Sequence, residues 1–179
     1  MTTTAPRREL LLEAAAELFS ARGFYAVGID DIGAAAGISG PGVYRHFASK
    51  QALLAALCDR TMDRMLAHAE AAQSLEELVD LQVGFAVEEQ ALLAVWVRER
   101  RALSDEVRRS LRRRQHRYEE LWRSALGPLR PDLDPEQVAF VVSSALALLN
   151  ASSLIESPLG AEERRRLLRQ LAHATLEAA

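Results

Sequence analysis

Tyr44, Arg45, His46 and Lys50 fall inside a run from Ile32 to Cys58 that contains no acidic residue. Duplex DNA presents a dense row of phosphates, so a helix that enters a groove must shed carboxylates and offer donors along its rim. These four side chains are such donors. The segment that carries them, Gly37-Ile-Ser-Gly-Pro-Gly-Val-Tyr-Arg-His-Phe-Ala-Ser-Lys50, reads as a turn, a short helix, a second turn and the start of a longer helix. Gly40 and Gly42 lie in the short helix, where each glycine costs roughly 0.5–1 kcal/mol relative to alanine. Either a bare surface lets the backbone press close to base edges, or glycine is cheap in a first turn; the sequence leaves both open.

The elements that must position this segment can be read from periodicity and end signals. Leu11, Ala14, Ala15, Leu18 and Phe19 recur at helical spacing and Gly23 stops them, which predicts a first helix over residues 6–22. Asp30 and Asp31 suit the first turn of a second helix that ends at Gly37. Ser39 can cap a third helix, from Gly40 to about Phe47, with Pro41 tolerated in its first turn. Ser49 caps a fourth that runs through Leu53, Leu54, Leu57, Met62, Met65 and Leu66 toward Ala72. Beyond it Ser74-Leu-Glu-Glu77 forms a capping box, Ser104 precedes Asp105-Glu106, and Asp134-Pro-Glu-Gln137 combines cap, proline and glutamine. The breakers at 127–131 and 157–160 leave helices near 74–100, interrupted, and over 105–126, 135–155 and 161–178. The fold class is therefore all-α: a small N-terminal three-helix unit, residues 1–50, precedes a larger helical domain, residues 51–179.

Composition narrows the function. A chain of 179 residues, 49% apolar and 26% charged, can bury a core. No run is long and apolar enough to span a bilayer, and the N-terminus has no secretory pattern, so no membrane is expected and the cytoplasm is the expected compartment. The single cysteine, Cys58, cannot form an internal disulfide, and His46, His68, His116 and His173 have neither metal nor catalytic-triad spacing. No enzyme, metal or cofactor is expected. The net charge of −3 argues against nucleic acid only if charge is averaged, whereas within residues 1–50 the acids all precede the third helix. Lys50 is the sole lysine among 22 basic residues.

Leu18-Phe19, Gly23-Phe24, Ile32, Ala36-Gly37-Ile38-Ser39, Val43-Tyr44-Arg45-His46-Phe47 and Ser49-Lys50 with Leu53-Leu54 resemble the N-terminal helix-turn-helix domain of the TetR/AcrR family of bacterial repressors. The resemblance covers about residues 7–57. It implies a homodimer that binds a double-stranded DNA operator and lets go when a small molecule occupies the C-terminal domain. It also implies that the helix from Gly40 lies in the major groove. Ser39, Gly40, Pro41 and Gly42 then face the duplex, Tyr44, His46 and Lys50 meet phosphates, and Arg45 meets a base edge or a phosphate. Arg7 and Arg8, at the start of the first helix, reach adjacent phosphates, while Phe47 packs in the core. Two positions depart from the family: Gly28 where threonine is frequent, and Asp30 where a basic residue is frequent. A carboxylate facing DNA would repel it, so Asp30 points to solvent or to a cytosine amino group, or serves only to start its helix.

From Arg98 to Arg117 nine arginines stand against three acids. They alternate with Ala102, Leu103, Val107 and Leu111 at helical spacing, which reads as the wet face of an amphipathic helix rather than a second DNA surface. Phe85, Leu92, Trp96, Tyr118, Trp122 and Phe140 are candidates for an effector pocket between helices, with plain core packing as the alternative for each. Asn150 adds a polar group, and Trp96 with Arg100 would suit an anionic, partly apolar effector such as an acyl thioester; the effector itself is unknown from sequence. The last two helices carry Val138, Val142, Ala145, Leu149, Ser152, Leu168, Leu171 and Thr175, an apolar set expected to form a four-helix dimer interface across a two-fold axis. A helical architectural or protein-interaction module without operator preference is the alternative.

Overall fold

The computed structural model describes residues 4–178, with side chains from residue 7 onward. Among the described residues there are nine α-helices and no strand: α1 Thr4–Arg22, α2 Ile29–Ala35, α3 Gly40–Tyr44, α4 Lys50–Ala71, α5 Leu75–Glu88, α6 Gln90–Glu99, α7 Asp105–Leu126, α8 Pro135–Ser152 and α9 Ala161–Glu177. The expected ends hold closely. Ser49, Ser74 and Ser104 each accept a hydrogen bond from a backbone N–H three residues on, at 3.0, 3.2 and 3.4 Å. Asp134 closes a full capping box with Gln137. At Ser74 the box is displaced by one residue, because Glu77 accepts from the N–H of Gln73 rather than from that of Ser74. The predicted interruption of the 74–100 stretch falls at Glu89, and one 3-10 turn, Arg100–Ala102, separates α6 from α7.

Gly23 and Gly37 end the first two helices with φ of +79° and +66°, the left-handed conformation that glycine adopts without a side-chain clash. These two turns let α1, α2 and α3 fold back on one another. Leu11, Leu12, Ala15, Phe19, Phe24, Val27, Ile32, Val43 and Phe47 fill the space between them and are buried. The resulting core is continuous with that of the larger domain through Leu53, Leu54 and Leu57 on α4 and Leu93 on α6. In the larger domain α7 packs along α4, and α8 is enclosed by α5, α6, α7 and α9. Ionic clasps hold α7 to α4, where Arg114 reaches both Asp59 and Asp63 and Arg117 reaches Glu70. Cys58 is buried in α4, and burial pushes its thiol up to about 12.

This packing corrects the dimer-face expectation. Val138, Val142, Ala145 and Leu149 are buried inside the protomer, because α8 turns that stripe toward the neighbouring helices. Leu168 packs half-buried against the same core, and the Ser152 hydroxyl donates to the carbonyl of Leu149. On α8 the outward apolar positions are Phe140, 73% exposed, and half-exposed Val141 and Leu148, and Ile155 in the segment after the helix is 61% exposed. On α9, Leu171 is 49% exposed, and half-buried Thr175 returns its hydroxyl to the Leu171 carbonyl.

Candidate nucleic-acid interface and ligand cavity

The short helix α3 stands on an apolar floor. Val43 and Phe47 point inward and are buried, whereas Tyr44 is 57% exposed and Ser39, Pro41 and Arg45 are exposed beside it. His46 is half-buried, and the turn through Phe47 continues the helical path by hydrogen bonds to the carbonyl of Val43 at 2.9 and 3.0 Å. The Ser39 side chain makes no capping bond, and its hydroxyl lies beside Gly42 near the orphan amides of the first turn. Arg7 and Arg8 are exposed, and the Arg8 guanidinium lies 5.0 Å above the ring of Phe47. That stacking brings the start of α1 to the end of α3.

Three of the sequence-predicted residues have roles the sequence did not show. Lys50 donates to the carbonyls of Phe24 (2.8 Å) and Val27 (2.7 Å), with its ammonium 4.4 Å from the ring of Phe24. Two of its three N–H bonds are thus spent inside the protein, and the lysine is first a clamp on the turn between α1 and α2. Gly42 is buried, and a side chain there would meet the Ile38 methyl at 2.7 Å and the Ser39 hydroxyl at 3.2 Å. Its glycine is required by the packing of α3 on its own preceding turn, which is neither of the two reasons the sequence offered. At Gly40 the space of a side chain is taken by the carboxylate of Asp30. Asp31, by contrast, accepts from the Gly28 N–H at 2.8 Å and faces Arg22 at 3.5 Å. One acid starts α2, and the other lies against the first residue of α3.

The larger domain holds a cavity of about 360 Å³ bounded by α4, α6, α7 and α8. Four of the residues expected in an effector pocket line it: Trp96, Arg100, Tyr118 and Asn150. The Arg100 guanidinium sits 5.4 Å from the ring of Trp96 and donates to Gln115 Oε1 at 3.1 Å. Behind them runs a buried polar chain: the Tyr118 hydroxyl donates to Gln82 Oε1 (2.7 Å), and Gln82 Nε2 donates to Asn150 Oδ1 (2.8 Å). Gln82 is fully buried and was missed in the sequence, although a lone glutamine between Leu81 and Val83 on an apolar helix was a legible signal. Burial pushes the Tyr118 phenol far up, so it stays a neutral donor. Asn150, having accepted from Gln82, keeps its amide N–H groups for whatever enters.

The other four expected pocket residues lie elsewhere. Trp122 is fully buried and packs as core against Tyr118, with ring centroids 6.3 Å apart. Phe85 is buried beneath Arg64 and His68, and Leu92 borders a separate, polar cleft that includes Glu13, Glu17 and Arg60. Phe140 points outward, because α8 presents the residues around Ser143 and Ala147 to the cavity instead.

Cavity and reading unit are joined by α6. Its last residue, Glu99, accepts the N–H of Phe24 at 3.1 Å, and Arg98 donates to the carbonyl of Ser20 at 3.3 Å. Glu99 and Lys50 therefore grip the same turn from different helices.

Residues 11–57 match the family described as bacterial regulatory proteins, tetR family, and residues 68–177 match the tetracyclin repressor-like C-terminal domain. The chain belongs to the TetR family. TetR proteins are transcriptional regulators rather than enzymes, and the all-α fold with its N-terminal helix-turn-helix is theirs. A 60-residue stretch is 45% identical to the HTH-type transcriptional activator FasR of Mycolicibacterium smegmatis, covering 34% of this chain and 27% of that protein. A TetR-family regulator from Bordetella parapertussis superposes with a TM-score of 0.85 at 21% identity, over 95% of this chain and 94% of that one. AibR, solved with isovaleryl coenzyme A and operator DNA, superposes with a TM-score of 0.77 at 20% identity, over 92% and 97% of the two chains. Among the described residues no helix is long and apolar enough to cross a membrane, and no group of three metal-ligating side chains is assembled.

Proposed function

We propose that this TetR-family chain is a homodimeric repressor that binds a near-palindromic operator through α3 and is released by a small, partly apolar anion in the α4/α6/α7/α8 cavity. The observation that carries it is the pairing of exposed donors on α3 with a cavity wired to the same unit through Glu99. In the duplex, α3 lies in the major groove with Ser39, Gly40 and Pro41 nearest the bases and Gly42 turned to the protein side. Tyr44 and His46 contact phosphates, Arg45 a base edge or phosphate, and Arg7 and Arg8 the flanking backbone. Lys50 contributes by holding the turn and has one N–H left for a phosphate.

The exposed apolar side chains of Phe140 on α8, Ile155 after it and Leu171 on α9 support self-association through this end of the chain, since exposed apolar surface marks interfaces. Two α3 helices would then meet half-sites about one helical turn, ~34–36 Å, or somewhat more apart. The likeness to AibR supports an acyl thioester as the effector, and Trp96, Arg100 and Asn150 supply an aromatic wall, a cation and an amide donor for it. FasR is called an activator, so the direction of control is to be read from transcription itself.

Selection from random duplexes, followed by footprinting upstream of the chain's own gene and its neighbours, tests the reading. A palindromic motif bound by a dimer with steep salt dependence supports it. A monomer at micromolar concentration, or binding without sequence preference, overturns it in favour of a helical interaction module.

A further inference from the structure

The arginines between Arg98 and Arg117 are not used alike. On the flank of α7 that meets α4, Arg114 and Arg117 are paired with Asp59, Asp63 and Glu70. On the other flank, Arg100, Arg101, Arg108 and Arg112 line a groove of about 270 Å³ together with Trp96 and Gln115. No carboxylate lines this groove. Among the described residues Arg108 pairs with Asp105 outside it, while Arg101 and Arg112 are exposed and have no acidic partner. The groove and the cavity share the wall made by Trp96, Arg100 and Gln115, so they adjoin on the same side of the domain.

Arg100, Arg101 and Arg112 share the groove with no carboxylate in its lining and repel one another, and an anion that meets several of them at once relieves the arrangement. A single carboxylate would be served by Arg100 alone. Phosphate oxygens suit the rest, because the planar guanidinium fork pairs with phosphate through two parallel hydrogen bonds. We propose that this groove is a phosphate subsite and that the effector is an acyl group borne on a phosphorylated carrier, with the acyl end in the cavity and the phosphates over Arg101, Arg108 and Arg112. The proposal rests on the effector reading above. It adds a second half to the site and excludes free acids as the physiological class.

The test uses the full chain and three probes: hexanoyl coenzyme A, coenzyme A and sodium hexanoate. The chain has two tryptophans, Trp96 and Trp122, and Trp96 lies in the shared wall, so intrinsic fluorescence follows each titration directly. The thioester should bind most tightly, with an affinity that falls as salt is raised. An Arg101→Ala/Arg112→Ala double variant should weaken it by about tenfold to a hundredfold and flatten its salt dependence. Binding of hexanoate should not change, and Arg101→Lys/Arg112→Lys should recover part of the loss. Thermal unfolding of both double variants at the parent temperature confirms that the fold is kept. The groove assignment is overturned if the alanine variant binds hexanoyl coenzyme A like the parent. Hexanoate binding as tightly as its thioester, or no thioester binding up to millimolar concentration, overturns it equally. Selective duplex binding, measured without any probe, reports separately on the regulator reading, and its loss would leave the probe titrations to decide the groove.

Discussion

The reading surface and the cavity are built on opposite rules. Around α3 the polar side chains stand outward over a sealed apolar floor, with Tyr44 and Arg45 free of partners among the described residues. Around the cavity the polar groups are bonded to one another, from Tyr118 through Gln82 to Asn150 and from Arg100 to Gln115. The difference follows from what each surface meets. A phosphate backbone is always charged and brings its own acceptors, so donors can wait in water at little cost. A cavity must remain folded when empty, and there an unpaired buried group would cost about 1–3 kcal/mol.

Four substitutions break or sharpen this contrast. The largest effect is expected from Phe19→Ala, which empties the core beside Phe24 in the N-terminal unit. Loss of about 3–5 kcal/mol should abolish the N-terminal unit's cooperative melting and all duplex binding, as read by circular dichroism and gel shift. Gln82→Ala should cost about 3 kcal/mol in urea unfolding, because both the Tyr118 hydroxyl and the Asn150 carbonyl lose their buried partner. A cost below 0.5 kcal/mol would show that the chain is not under tension of burial. Gly42→Ala should destabilise the free protein by about 1–3 kcal/mol through its clash with Ile38. If instead only duplex affinity fell and unfolding were unchanged, close approach to DNA would be the reason for the glycine after all. The smallest effect is expected from Tyr44→Phe, which removes one exposed hydroxyl. Its duplex affinity should fall by about 1 kcal/mol for every sequence alike, with stability unaltered.

The same contrast explains what could be read from the chain beforehand. Helix ends were legible because caps act within three or four residues: Ser49, Ser104 and Asp134 each announced a start that the fold keeps. The outward donors of α3 were legible for the same reason, since a five-residue helix between two turns has few ways to face. What was not legible depended on distant partners. The clamp role of Lys50 was hidden because the carbonyls that hold it lie 23 and 26 residues earlier. Val138, Val142, Ala145 and Leu149 were placed at a dimer face because α8 is apolar nearly all round, and only its contacts with four neighbouring helices decide which stripe is left over. Phe140 was placed in the cavity for the same reason, whereas α8 turns Ser143, Leu146, Ala147 and Asn150 to it.

The turn from Gly23 to Gly28 has one further property. It is gripped by an anion from α6 and a cation from α4, whose hydrogen bonds end on the main-chain atoms of Phe24 and Val27, so they do not depend on the exposed side chains of the turn such as Tyr25. Drift at an exposed position of that turn such as Tyr25 therefore leaves the joint between the halves tight, and the joint yields when α6 or α4 itself changes place.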